Sequence, residues 1–461
     1  MKRYVFFCLL AVLPLSATTR YVALHGAHIP PFTNGWAGAA TNIQSAVDLA
    51  MPNDLVLVYS GIYRLAARLI ITNQLTVSGA FGAAWTVITP RPFTYIGGVY
   101  LGSNNGTFVA FTVSNFFYSG FGAGIECAST NPLIRHCVLA HNRGAARGGG
   151  VYYGTVRNCR IIKNTANTGS VGFGGGAAFS DLADCILTGN FARGQNSPAS
   201  GGGGCYSVTA QNCLISENES LAGGGADASF ISNCIVTANR ASTAAGTLNT
   251  FAFDSLIASN VSLLGHGGAS GGTYQRCRFI ANISSNSNFA GGAAAARLYN
   301  CLLAYNEAAQ GFGGASACSL VNCTIARNHG NPGGIGGGGL TNSIVYENSS
   351  PEVNTSGLKA HYSCTPIALT GLGNITNPPL FVNSLAGNFH LQAHSPCLEA
   401  GDDTAAALPW DLDHQPRIQG QHVDMGCYET VPEGFLPTVL AALLLLCLQR
   451  RATTLRGSEI T

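Results

Sequence analysis

Charge is what this sequence has least of. Charged residues make up 10% of its 461 positions, against about 25% in an average globular protein. Lysine occurs only at Lys2, Lys163 and Lys359, and the formal net charge is +2. Such a chain offers no basic patch for nucleic acid and no polybasic anchor for a membrane surface, so nucleic acid is excluded as a partner. Long hydrophobic runs are missing too. The apolar stretches at 4–15 and 435–448 both fall short of the ~20 residues that cross a bilayer. Neighbouring carboxylates are scarce: Asp402-Asp403 is the only Asp-Asp pair, and between Cys127 and Asn348 the aspartates are Asp181, Asp184, Asp227 and Asp254. The surface must therefore be built largely from Asn, Ser, Thr and Gly, and Gly alone supplies 59 residues.

The N-terminus carries Lys2-Arg3, the apolar run 4–15 and then Leu15-Ser16-Ala17. Positive charge, apolar core and small residues in that order make a secretory signal peptide over 1–17, with cleavage expected after Ala17. A transmembrane anchor is the competing reading, but the run covers only part of a ~30 Å hydrocarbon core. Cys8 has no small-residue lipobox around it, which favours plain secretion over lipidation.

Internal repetition dominates the middle of the chain. A Cys or Ser followed five positions later by Asn recurs at intervals of 20 to 28 residues: Cys137/Asn142, Cys159/Asn164, Cys185/Asn190, Cys213/Asn218, Cys234/Asn239, Ser255/Asn260, Cys277/Asn282, Cys301/Asn306, Cys323/Asn328 and Ser343/Asn348. Two positions after each Cys or Ser stands an apolar residue, from Leu139 and Ile161 through to Val345. Period-two burial means a short strand with the thiol and the larger side chain both facing inward. Constant inward positions joined by connections of variable length predict an all-β solenoid, a parallel β-helix, in which each coil adds one rung to every stacked sheet. The leucine-rich solenoid is set aside because its Leu-x-x-Leu-x-Leu frame is missing.

In this reading the Asn ends the strand and stacks as an amide ladder, while the Gly runs such as 148–150 and 201–204 form the corners. The repeat cysteines are expected to stay free. Rungs lie ~4.8 Å apart on nearly parallel Cβ vectors, whereas a disulfide needs Cβ atoms at about 3.8 Å and a dihedral near 90°. They should form a column of small hydrophobes. Upstream, Thr41 or Asn42 caps a short helix with apolar positions Ile43, Ala46, Val47 and Ala50; residues 55–59 are the first strand, and the helix lids the end of the bore. A count of 13 or 14 coils gives a rod of about 60 to 70 Å.

Two sets of motifs resemble known families. Ile43-Gln44-Ser45-Ala46-Val47, Asp54-Leu55-Val56-Leu57-Val58 and Gly61-Ile62-Tyr63 resemble the opening of pectin-lyase-like right-handed β-helix proteins, and the Asn-Cys-x-Ile-x-x-Asn units resemble bacterial surface β-helix repeats, with a looser likeness to polymorphic outer-membrane protein repeats. The implied division is a β-helix with its N-terminal cap over 18–350, then a C-terminal module over 351–430. That module, with Asn377-Pro378-Pro379-Leu380-Phe381, Ser395-Pro396-Cys397-Leu398-Glu399-Ala400-Gly401-Asp402, Asp411-Leu412-Asp413-His414-Gln415-Pro416-Arg417 and Val423-Asp424-Met425-Gly426-Cys427, is similar to the choice-of-anchor Q domain of exported β-helix proteins. His414 stands where that family has Gly, which speaks against a calcium loop, so no cofactor is expected. Arg417 is expected to pair with a carboxylate. Cys397 and Cys427 occupy positions where the family often has small residues, and they are expected to pair as a disulfide.

The tail over 431–461 joins Val431, Pro432 and Glu433 to the apolar run 435–448 and the basic pair Arg450 and Arg451. It resembles the Pro-Glu-Pro (PEP-CTERM-like) signals read by exosortases, with Gly434 in place of the second Pro; the simpler alternative is a membrane-retaining anchor. An exosortase-like enzyme or the membrane is the implied partner, and the bacterial cell envelope or surface the implied location.

Residues for catalysis are not assembled by the pattern. Gly265-His266-Gly267 reproduces the Gly-His-Gly triplet of polygalacturonases, but the partner aspartates that glycosidic hydrolysis requires do not accompany it. No catalytic or metal residues are therefore assigned. The expectation is a non-catalytic surface rod, adhesive, envelope-structural or carbohydrate-binding, with Tyr152, Tyr153, Tyr206 or Tyr305 stacking on sugar rings. The alternative is a polysaccharide lyase or hydrolase on the same fold.

Overall fold

In every repeat the residue just before the Cys or Ser, and the one just before the Asn, take a left-handed backbone conformation. Asn158 (φ 52°) precedes Cys159 and Lys163 (φ 51°) precedes Asn164, and the same two corners recur to Asn342 and Glu347. Asn and Asp fill most of the first corners, since their short polar side chains tolerate this region best among non-glycine residues. Between corners only two or three residues remain extended. One coil reads Val151–Tyr152, Thr155–Arg157, Arg160–Ile162 and Thr165–Ala166.

Each of these strands pairs in parallel with its equivalent one coil on. Stacking yields a 25-stranded sheet that takes two strands from each regular coil, a 13-stranded sheet and an 8-stranded sheet. The architecture is the all-β, right-handed parallel β-helix, seen in a computed structural model that describes residues 17–102, 105–167, 171–194 and 200–430. The segment expected to be a signal peptide, apart from Ala17, and the tail with Val431, Pro432, Glu433, Arg450 and Arg451 lie outside the described residues. Among the described residues no helix is long and apolar enough to cross a membrane.

Inside the rod, the apolar residues two positions after each Cys or Ser, Leu139 to Val345, are fully buried. The repeat asparagines lie beside them. The sequence reading gave Asn to the surface, and for these residues that is corrected: Asn142, Asn164, Asn190, Asn218, Asn239, Asn260, Asn282, Asn306 and Asn328 are all 0% to 2% exposed, and Asn348 is partly covered. Asn218 shows why burial is tolerated. Its Oδ1 accepts from the backbone N–H (2.9 Å) and Nδ2 (3.0 Å) of Asn190, while its Nδ2 donates to the Leu187 carbonyl (3.0 Å) and to Asn239 Oδ1 (3.0 Å). Every donor and acceptor of the amide is used, so a buried polar group carries no unsatisfied cost.

The same contact passes from coil to coil. Asn239 Nδ2 donates to Asn260 Oδ1, Asn260 Nδ2 to Asn282 Oδ1, Asn282 Nδ2 to Asn306 Oδ1 and Asn306 Nδ2 to Asn328 Oδ1, each at 2.9 Å. The ladder begins where the Phe116 N–H meets Asn142 Oδ1 (3.1 Å). It ends where the Glu352 carboxylate accepts both the N–H (2.9 Å) and the Nδ2 (3.2 Å) of Asn348.

The described thiols are all free and buried, including Cys137, Cys159, Cys185, Cys213, Cys234, Cys277, Cys301 and Cys323 of the repeats. They are more than the small hydrophobes expected. Cys159 Sγ accepts the Cys137 N–H at 3.3 Å and lies 3.2 Å from the Arg157 carbonyl. Ser255 Oγ does the same work for Cys234, at 3.1 Å, and for the Phe253 carbonyl, at 2.7 Å. A hydrogen-bonding atom one bond beyond Cβ is thus what the corner requires. Glycine is required nearby: a Cβ on Gly150 would lie 2.7 Å from the Gly176 carbonyl oxygen and 2.8 Å from Ile161.

Two expectations about the ends are corrected. The first strand is Thr19–Val22, which pairs with Leu55–Val58; the helix Ile43–Leu49, capped by Asn42, lies between them and buries Ile43, Ala46 and Val47. Arg20 stands on the inward side of that first strand and obscures its apolar pattern, but Asp54 neutralises it at 3.1 Å. At the other end the rod does not stop at residue 350, because Val353–His361 pairs in parallel with Ile335–Thr341, and the C-terminal module that follows folds back along the side of the rod. Phe381, Phe389, Leu391, Leu412 and Met425 pack on Leu302, Ala304, Ala326 and Ile344 in a second core.

Replacing Asn239 by Ala is expected to destabilise the rod by at least about 3 kcal/mol, because several buried donors and acceptors lose their partners together. Cys234→Ser, which retains the accepting atom, should cost less than about 1.5 kcal/mol. Thermal unfolding midpoints of the two variants check this, and equal shifts would contradict the ladder's role.

Candidate functional site

Inward positions are committed to packing, so any ligand chemistry resides in the outward columns. One outward column of the largest sheet runs Tyr100, Glu126, Tyr152, Ala178, Tyr206, Asp227 on successive coils. Beside it, at the residue before each glycine corner, runs a second column of Phe121, Arg147, Phe173 and Gly201. On its other side the left-handed corner residues Tyr153 (φ 55°) and Phe179 (φ 56°) form a third.

These columns merge into one aromatic surface. Phe121 stacks on Tyr152 at 4.8 Å with an interplanar angle of 17°. Tyr152 meets Tyr153 edge-on at 4.5 Å, Phe179 meets Tyr206 at 5.6 Å, and Phe173 meets Tyr206 at 4.5 Å. The Arg147 guanidinium sits in their midst, 5.8 Å from the Phe173 ring and 5.5 Å from the Phe179 ring. Ala178 leaves room between Tyr152 and Tyr206 on the central column. Phe121 is 40% exposed, and Tyr152, Tyr153, Phe173, Phe179 and Tyr206 are half-buried. Burial and a hydrogen bond to Tyr153 raise the Tyr152 phenol above its ordinary pKa, so it remains a neutral donor.

Charge flanks the stripe at both ends. Arg68 pairs with Glu126 at 2.7 Å and lies 5.4 Å from the Tyr100 ring and 5.0 Å from the Tyr118 ring. Asp227, on the rung after Tyr206, is only 7% exposed, and burial pushes its carboxyl up to about 6. Gly201 is the neighbour that makes room: a Cβ there would come within 2.0 Å of Asp227 Oδ2. Four rungs separate Glu126 from Asp227, or about 19 Å at ~4.8 Å per rung.

The residues singled out in the sequence are distributed differently from one another. Tyr152, Tyr153 and Tyr206 come together in the stripe. Tyr305 is elsewhere, its hydroxyl donating to the Ser384 carbonyl where the C-terminal module docks. The ladder asparagines, Asn260, Asn282 and Asn306 among them, take no part in the site because their amides are spent on one another inside the rod. His266 accepts the Ala290 N–H through Nδ1 at 3.0 Å and abuts Phe289, and burial lowers its pKa to about 4; it is a neutral acceptor that holds a turn. Asp411 receives the backbone N–H groups of Asp413, Gln415 and Glu429, and Asp413 pairs with Arg278 and His390. Among the described residues no cluster of three or more His, Cys, Asp or Glu is arranged to hold a metal ion. Arg417 is buried against Glu429 at 3.6 Å and donates to the Asp424 and Gly426 carbonyls.

The structure does not bring Cys397 and Cys427, expected to pair as a disulfide, thiol to thiol: Cys397 meets the thiol of Cys364, and Cys427 is engaged through its thiol and its N–H by Thr324 of the rod. Phe121, Arg147, Phe173 and Phe179 were not singled out in the sequence. A signal was present, because the first three each directly precede the glycine that opens a corner: Phe121-Gly122, Arg147-Gly148 and Phe173-Gly174.

No family model matches the chain, and no curated protein matches it. Solved structures do. The pectate lyase Pel9A aligns over 90% of this chain and 97% of its own, with 15% identity and a TM-score of 0.32. A rhamnogalacturonan lyase aligns over 79% and 91%, with 11% identity and a TM-score of 0.30. The A-module of the Azotobacter vinelandii mannuronan C-5 epimerase AlgE4 aligns over 73% and 95%, with 13% identity and a TM-score of 0.27. At these values the chemistry of those enzymes is not carried over to this chain.

The position of Asp227 has a pH signature. Its folded pKa of about 6 lies above the ordinary value of 3.8, so ionisation opposes folding. That cost is absent below about pH 4, grows as pH rises through 6, and is complete above it. Asp227→Asn should therefore stabilise the protein near pH 8, by up to about 3 kcal/mol, and leave stability near pH 4 unchanged. Unfolding midpoints of both proteins at the two pH values test this, and a pH-independent difference would refute it.

Proposed function

We propose that this chain is an exported, envelope-anchored β-helix that binds polysaccharide bearing carboxylate groups along its aromatic–arginine stripe and does not cleave it. The observation that carries this reading is the stripe itself. Rings arrayed on successive rungs match the apolar faces of successive sugar rings, and a planar guanidinium set among them suits a sugar carboxylate. The separation of Glu126 from Asp227 supports binding over turnover, because acid–base hydrolysis places its two carboxyl groups within about 10 Å. Export and anchoring rest on the signal peptide over 1–17 and on the sorting-signal resemblance of the tail, with an exosortase-like enzyme or the membrane as the partner there.

One observation favours the enzymatic alternative. A carboxyl with a pKa of about 6 beside aromatic rings, as at Asp227, has the form of a general acid.

A single set of assays separates the two readings. Affinity electrophoresis in gels containing polygalacturonate, alginate or a neutral xylan should retard the wild type most strongly in the acidic gels. Tyr152→Ala and Phe179→Ala should each weaken retention about tenfold, near 1.4 kcal/mol, and Arg147→Ala should abolish the preference for acidic over neutral polymer. Incubation with the same polymers should release no reducing or unsaturated ends. Turnover that vanishes in Asp227→Asn would replace this proposal with the enzymatic one. For the anchor, a chain ending at Glu429 should leave the envelope for the medium; unchanged envelope retention would count against the tail's role.

A further inference from the structure

Among the described residues, Cys364 and Cys397 make the one thiol contact that joins different parts of the fold. Cys364 belongs to the last turn of the rod, bridged in parallel to Ile344 on one side and Ile375 on the other. Its Sγ lies 3.2 Å from the Asn377 carbonyl. Cys397 lies in the turn after Ser395-Pro396 of the C-terminal module, its N–H bound to Ser395 Oγ at 3.1 Å. Both are fully buried in the second core, between module and rod, and the two thiols meet there.

The repeat thiols also touch their neighbours, but they stand at equivalent corners of adjacent coils, whose ~4.8 Å spacing and parallel Cβ vectors oppose bridging. No ladder holds Cys364 and Cys397 in that relation, because their segments approach from separate turns. The connection between them, residues 365–396, runs out through an irregular stretch and returns through the antiparallel pair Phe381–Asn383 and Asn388–Leu391, so a bond there would close a long loop over the docked module.

We propose that Cys364 and Cys397 form a disulfide that fastens the C-terminal module to the end of the rod. The inference rests on the export reading, since such bonds persist in oxidising compartments. The step is a thiol–disulfide exchange with an exported oxidoreductase of the dithiol–disulfide class. One cysteine thiolate opens the oxidant's disulfide to a mixed disulfide, and the second thiolate displaces the oxidant from it. The chain loses two protons and two electrons, and the oxidant's disulfide becomes a dithiol. Exchange takes place before the module docks, because the docked thiols are enclosed. Cys427 takes no part, held as it is by Thr324.

The test is peptide mapping of the full chain, produced with its own leader in a Gram-negative host and alkylated under denaturing conditions without reductant. The expected result is a Cys364–Cys397 cross-linked peptide, two hydrogens lighter than its components, with Cys427 alkylated; in Cys397→Ala the cross-link disappears and Cys364 becomes alkylated. A Cys397–Cys427 peptide would overturn the proposal. A parallel sample of the purified chain, reduced, unfolded and refolded with glutathione and glutathione disulfide, separates the pairing from the location. Bridging there but not in the cell supports the pair and overturns export, whereas free Cys364 and Cys397 in both samples overturns the pair.

Discussion

The buried asparagine ladder is the interaction on which the rest of this molecule depends. Four hydrogen bonds converge on each amide from Asn164 to Asn306, two accepted and two donated, and the partners are supplied by both neighbouring coils. No other side chain meets this demand. Asp lacks the donors and would bury a charge, Ser and Thr have a single donor, and Gln extends one carbon further. Because every amide points the same way, the ladder needs a donor at one end and an acceptor at the other. The Phe116 N–H and the Glu352 carboxylate fill those roles.

With the interior settled this way, coils tolerate insertions at their corners and the outward columns are free to vary. That freedom places Tyr152, Tyr206, Phe173 and Phe179 together although up to 54 residues separate them in the chain. Parallel stacking converts a repeat of 20 to 28 residues into an aromatic spacing of one rung. The surface chemistry is therefore a product of register, and a change of one residue in the repeat frame would scatter it.

The fold was legible because its constraints are local and repeated. Cys or Ser, then an apolar residue two positions on, then Asn, states the strand, its inward face and its end within six residues. The first left-handed corner was equally visible in retrospect, since Asn or Asp mostly occupies it. The second was not: Lys163, Glu217, Ala238 and Tyr305 share no property, and their conformation is imposed by the asparagine that follows. That Asn260, Asn282 and Asn306 lie wholly inside was hidden as well, because an amide is counted as a surface group until its partners on both neighbouring coils are seen. Arg20 hid the first strand for a related reason, as a charge on an inward position makes sense only once Asp54 is seen beside it.

The sequence by itself determined the solenoid, the free thiols of its interior and the lack of neighbouring aspartates in the repeat region, because each follows from residue type at fixed spacing. Which outward side chains meet was decided only by the tertiary structure. Stacking brought Arg147 among the rings and Asp227 to their border, and the fold-back of the C-terminal module took Tyr305 for docking and set Cys397 against Cys364 rather than Cys427. Such contacts depend on how many residues each corner contains and on where a module returns to the rod, and neither quantity is encoded in a local pattern.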